Sequence, residues 1–138
     1  MAGKKPRRVW APNRRITRPR LPDDVKQRVQ REGDALVAEV LRPRAVKPPP
    51  ADSDFNYISD VFTRWYHSWF YFCATYTCPS PRALSETFES RFARMEYAGG
   101  ERFHLAFMRY TGEWIEVYRD VPLDEALAAI RDDPYFRI

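Results

Sequence analysis

The sequence predicts an α+β fold: an N-terminal helix, a five-stranded antiparallel β-meander and a short C-terminal helix, preceded by a basic extended tail. Three observations carry this expectation. Residues 21–42 place apolar side chains at helical spacing between a proline start and a proline stop. From Phe55 onward the chain turns aromatic and β-branched, a composition that favours strands. Gly99-Gly100 and Thr111-Gly112 then interrupt the strand-like runs at hairpin spacing. Sequential hairpins need no crossover, so helices stacked on one face of a meander are the natural solution.

The tail comprises residues 1–20 and is set apart by charge. Lys4, Lys5, Arg7, Arg8, Arg14, Arg15, Arg18 and Arg20 are basic, and no acidic residue lies among them. The whole chain is only +4, so residues 21–138 carry net −4. Such a block repels itself until a polyanion neutralises it, which makes these eight residues the candidate nucleic-acid contacts. Pro6, Pro12 and Pro19 oppose the amphipathic helix of an organellar transit peptide. No apolar stretch approaches the ~18 residues of a membrane span, and no signal-like apolar region opens the chain.

Residues 21–138 read as a single domain. In the helix 21–42, Pro22 suits the first turn, and Asp23 and Asp24 complement the dipole. Val25, Val29, Leu36, Val37, Val40 and Leu41 form its inner stripe, Gly33 weakens it by about 1 kcal/mol, and Pro43 ends it. Residues 43–54, with Pro48, Pro49 and Pro50, form a stiff linker. The meander and C-terminal helix fill residues 55–136. The strands are expected at 55–65, 69–78, 87–97, 102–110 and 113–119. A helix from Ser53 competes for the first, because Ile58, Phe62, Tyr66 and Phe70 also fit helical spacing. Pro122 opens the last helix, with Leu123, Ala126, Leu127 and Ile130 inward, and Pro134 closes it. Cys73 and Cys78, five residues apart on one strand, would stand ~16 Å apart and face opposite ways, too far for a disulfide. Two free thiols fit a cytoplasmic protein.

If Gly99-Gly100 and Thr111-Gly112 are two-residue loops, Tyr97 faces Arg102 and Arg109 faces Trp114. One sheet face then collects Ala93, Met95, His104, Ala106, Met108, Ile115 and Val117 and receives the helices. The other carries Phe92, Phe103, Leu105 and Phe107 together with a candidate site of Arg94, Arg109, Trp114, Glu116 and Tyr118. Arg109 would stack on Trp114 with Glu116 diagonal to it. Aromatic rings among guanidinium groups suit single-stranded nucleic acid; equally, they suit a face packed on a helix, a linker or a second subunit. Ten aromatic residues between Phe55 and Tyr76 occupy both strand parities. Their surplus surface fits a homodimer interface, a base-stacking platform or a small-molecule pocket.

No catalytic motif is present: the chain lacks a Gly-rich phosphate loop, a G-x-S-x-G elbow and an H-E-x-x-H helix. His104 is expected in the core and His67 in a solvated turn. The C-x4-C spacing of Cys73 and Cys78 is a weak zinc signal, and no metal or cofactor is expected.

Met108-Arg109 followed four residues later by Trp114, and Leu123-Asp124-Glu125 with Leu127, Ile130, Asp133 and Tyr135, resemble the closing segment of a family of small bacterial proteins classed as a domain of unknown function. That resemblance implies bacterial origin and a helix–meander–helix fold, and no activity. The chain is therefore expected to be a non-enzymatic binding protein whose tail contacts RNA or DNA. The alternatives are a subunit whose tail enters an acidic protein surface, and a small-ligand binder or enzyme using the sheet face.

Overall fold

The computed structural model describes residues 18–49, 51 and 54–138. Lys4, Lys5, Arg7, Arg8, Arg14 and Arg15 lie outside the described residues, whereas Arg18 and Arg20 lie within them. Helix α1 (Asp23–Leu36) starts after Pro22, which is extended, and carries Asp23 and Asp24 in its first turn, where their charge complements the dipole. Val25, Val29 and Gly33 are buried along it. A π-turn (Val37–Leu41) follows, and its end is marked by the Arg42 amide donating to the Val37 carbonyl. Pro43 does not end the helix as expected; helix α2 (Arg42–Ala45) carries it to Ala45. The wider π ladder sits where the Pro43 ring would otherwise meet the carbonyl four residues back, and Pro43 has no amide to lose. The Arg42 guanidinium then ties this end to the sheet, donating to Asp60 Oδ1 at 3.0 Å and to the Val61 carbonyl at 2.8 Å.

The sheet is an antiparallel meander in the order β1 (Tyr57–Tyr66), β2 (Trp69–Thr77), β3 (Thr87–Gly99), β4 (Arg102–Met108) and β5 (Trp114–Pro122). The competing helix from Ser53 does not form, because β1 pairs with β2 along its length. Helix α3 (Leu123–Asp132) and a 3-10 turn (Pro134–Phe136) complete the chain. Both α1 and α3 pack on one face. There Val29, Val37, Leu41, Phe70, Phe72, Met95, Phe103, Leu105, Ile130 and Phe136 form one core. A polar cluster borders it: Trp65 Nε1 donates to Gln30 Oε1 at 2.8 Å, and Thr63 Oγ1 donates to Asp34 at 2.7 Å.

Turn chemistry sets the register, and it differs from expectation at both glycine turns. Gly99 pairs with Arg102, so the loop is Gly100-Glu101, with φ of 58° at each residue. Two left-handed residues in a two-residue loop are the turn a twisted hairpin favours. Tyr97 consequently faces Phe103, not Arg102. At the next turn the Arg109 amide donates to the Glu113 carbonyl at 2.8 Å and Gly112 has φ of 90°, so three residues, 110–112, form the loop. Trp114 therefore faces Met108, not Arg109. A one-residue slip turns a strand over. Strand β4 is reversed: Phe103, Leu105 and Phe107 belong to the core, while His104, Ala106 and Met108 face away from the helices.

A bulge alters β3 as well. Phe72 faces Ala93 and Cys73 faces Arg91, which leaves Phe92 as an extra residue in β3. Phe92 and Ala93 both join the core, so Phe92 is not on the outer face. β3 also outruns β4: its ladder to β4 begins at Ala93, and Thr87–Arg91 pair with β2 alone.

Gly33 allows the helix to approach the sheet. A Cβ there would stand 2.6 Å from Phe70 Cε2 and 2.9 Å from Cζ. The Phe70 ring is buried and wedged between Trp65, at 4.7 Å, and Phe72, at 5.3 Å. We expect Gly33→Ala to destabilise the fold by about 1–2 kcal/mol, because overpacking of about 1–3 kcal/mol exceeds the ~1 kcal/mol gain in helix propensity. Urea unfolding reads this as a lower midpoint at unchanged slope; a raised midpoint would show that the ring yields.

Candidate functional site: the open sheet face

No described helix packs on the second face of the sheet, which is built from alternate residues of each strand. From β2 come Trp69, Tyr71 and Cys73, and from β3 come Arg91, Arg94 and Glu96. From β4 come His104, Ala106 and Met108, and from β5 Trp114 and Glu116. Arg91 and Arg94 are three residues apart and would normally face opposite ways. The Phe92 bulge brings both to this face, opposite Cys73 and Tyr71.

Arg94 is the centre of the site. Its guanidinium carbon lies 4.0 Å from the Trp69 ring centroid and 4.7 Å from that of Trp114, so two indoles hold one planar cation. Each such contact is worth about 0.5–2 kcal/mol, more as water is excluded. Burial pushes the Arg94 pKa down; a hydrogen bond to Tyr71 and the charges of Glu96 and Glu116 oppose that shift. Tyr71, only 5% exposed, lies 5.7 Å from Trp114 and carries the Arg91 guanidinium over its ring at 4.5 Å. The result is an alternating layer of rings and guanidinium groups.

The acids here are already engaged. Glu96 pairs with Arg18 at 3.3 Å, Glu116 pairs with Arg119, and Glu89 accepts from Arg64 at 2.8 and 3.4 Å. Hydrogen bonding by Glu89 is the main cause of the raised Arg64 pKa. His104 lies on this face and not in the core; its Nδ1 accepts from the Asp120 amide at 3.1 Å. Cys73 forms part of the buried floor, and desolvation pushes its thiol up to about 11, against the opposing effect of Arg64 and Arg91.

Met108, Trp114 and the Leu123–Tyr135 segment, on which the family resemblance rests, now have places in β4, β5 and the C-terminal helical turn. The pattern of the domain of unknown function DUF3024 matches residues 21–137. The chain belongs to the DUF3024 family. No curated protein and no solved structure matches it.

In this DUF3024 chain, three of the five expected sheet-face residues share the open face: Arg94, Trp114 and Glu116. The two one-residue slips around β4 cancel between β3 and β5, which is why these three remain together. Arg109 is not with them. It sits at the β4–β5 turn, 3.7 Å from Glu113 and over the Tyr110 ring at 5.7 Å. Tyr118 is also elsewhere: a bulge between its pairing with Leu105 and that of Glu116 with Ala106 turns it to the helix face. There its hydroxyl donates to Asp133, which raises the Tyr118 pKa. Sequence reasoning missed the cation that stacks on Trp114, as well as the roles of Trp69, Tyr71 and Arg91. His67 is exposed in the β1–β2 turn, as expected, and both cysteines are free. Among the described residues no cluster of three or more His, Cys, Asp or Glu could hold a metal, and no helix is long and apolar enough to cross a membrane.

Two tests follow from this geometry. In double-mutant cycles read by urea unfolding, Trp114→Ala should couple to Arg94→Ala by about 1 kcal/mol and to Arg109→Ala by close to zero. Coupling to Arg109 alone would restore the expected register. Cys73 should resist alkylation in the folded protein at pH 8 and react on unfolding. Its thiol is raised from an ordinary 9.0 to about 11, so the stability it contributes is complete below about pH 9 and is lost as pH rises through 11. Mass-spectrometric mapping of the modified cysteine reads the first effect, and urea midpoints against pH read the second.

Proposed function

We propose that this protein is a non-enzymatic nucleic-acid-binding protein that combines its basic N-terminal segment with the open sheet face to hold single-stranded RNA or DNA. The observation that carries this reading is the position of Arg18. Its guanidinium lies over the Trp69 ring at 5.4 Å and pairs with Glu96, so the basic segment joins the fold at the aromatic face. Phosphate contacts from the segment and stacking on exposed ring faces are the two components of sequence-tolerant single-strand binding. Stacking on a base is worth about 1–3 kcal/mol, and phosphate contacts supply orientation without reading sequence. The same reading takes the protein to be bacterial and cytoplasmic, on its family resemblance and its two free thiols.

Fluorescence anisotropy with a labelled single-stranded oligonucleotide and the matching duplex tests this. For the full chain we expect tighter binding to the single strand. The slope of log K against log salt should lie between about −3 and −5, since each neutralised phosphate of a single strand contributes about −0.7. Deleting residues 1–17 should flatten the slope towards zero, because residues 18–138 carry net −2. No binding to either nucleic acid at ~50 mM salt, or an unchanged slope after deletion, would overturn the proposal and favour an acidic protein surface as the segment's partner.

A further inference from the structure

Arg109, displaced from the sheet face, lines a groove with Arg91 and Arg137. The groove has a volume of about 580 Å³ and opens where β3 outruns β4, between the β4–β5 turn and the C-terminal segment. That volume lies within the range of small-molecule pockets. Tyr110 and Tyr135, 93% and 57% exposed, stand at its walls. Tyr135 is held in place by stacking on Phe107 at 4.8 Å.

The charges at this groove are not balanced from within. Glu89 also lines it, but its carboxylate is bound by the Arg64 fork. Asp132, close enough to feel Arg137, is committed to Arg131 through bonds of 3.0 and 2.8 Å. Glu113 reaches Arg109 only at 3.7 Å, with both side chains largely exposed. Among the described residues, Arg91 and Arg137 take part in no ion pair. Three arginines therefore line one concave site, and among them only Arg109 has a carboxylate partner, which is weakly held. Planar guanidinium forks match phosphate oxygens in pairs, and rings beside them suit a flat organic group.

We infer that this groove is a binding site for a compact molecule bearing a pyrophosphate or similarly multiply charged phosphate group. It adjoins the open-face site, sharing Arg91 and Met108 with it but none of Trp69, Arg94 or Trp114. The groove lies beside the β4–β5 turn, whereas Arg18 lies beside the β1–β2 turn at the opposite end of the sheet. The groove's size and its distance from the basic segment favour the phosphate of a free small molecule over a nucleic-acid backbone, and the site does not rest on the nucleic-acid reading.

Isothermal titration of the full chain with sodium pyrophosphate tests the inference, with a single-stranded oligonucleotide as the second arm. Arg109→Ala and Arg137→Ala are exposed-site changes and are expected to leave the urea midpoint unchanged. Saturable pyrophosphate binding that each variant weakens by about ten- to a hundredfold, with oligonucleotide affinity unchanged, is the expected result. Arg137→Lys should recover part of the loss, since it keeps the charge and loses the fork. Three outcomes would overturn the inference: no saturable pyrophosphate binding at millimolar concentration, binding untouched by either variant, or a parallel loss of oligonucleotide affinity. The last would make the groove an extension of a nucleic-acid surface.

Discussion

Strand β4 hangs between two turns that need left-handed residues, and both faces of the molecule depend on how those turns count. Gly100-Glu101 takes two residues with φ of 58°, and the next turn takes three, closing on Gly112 at φ of 90°. L side chains resist that backbone region, so Gly100 and Gly112 anchor the two loops, and Glu101 is the one side chain that enters it at these turns. With the loops fixed, Phe103, Leu105 and Phe107 are committed to the helices, and His104, Ala106 and Met108 to the opposite side. The reversal exchanges an aromatic-aliphatic set for a smaller and more polar one. It gives the core its large side chains and puts small Ala106 between Arg94 and Glu116 on the open face.

The two faces are held by different physics. On the helix face, apolar area is removed from water and the fit is close enough that Gly33 has no space for a methyl group beside Phe70. On the open face, large rings and guanidinium groups shield one another, and the carboxylates nearby are all engaged by arginines. Such a layer stabilises the sheet without a covering element. It also keeps planar cations desolvated and oriented, the condition under which they interact most strongly with π systems and anions.

The α+β class, the strand order and the C-terminal helix were legible in the sequence, because apolar periodicity and punctuation by Gly and Pro act locally. Pro43 was misleading, since a π-turn four residues earlier is a backbone adjustment that leaves no compositional mark. The site was legible in its members more than in its assembly. Arg94, Trp114 and Glu116 were placed together, but through two register errors that happened to cancel. Arg91 was beyond reach, because only the bulge at Phe92 puts it beside Arg94, and bulges depend on pairing across strands. Tyr118 was lost to a bulge for the same reason, and Arg109 to the extra residue in the Tyr110–Gly112 loop.

The length difference between β3 and β4 has a consequence for the molecule's solubility. Thr87–Arg91 present one row of amides and carbonyls to no other strand, the geometry from which sheets grow between molecules. Glu89 and Arg91 place charges of both signs along that stretch, and exposed Phe88 lies flat on Tyr76 with rings 5.0 Å apart. These charges therefore act as guards against strand-to-strand growth as well as partners for Arg64 and Tyr71. A lineage that lost them while keeping the long β3 would be selected to shorten the strand or to bury its edge against another copy of itself.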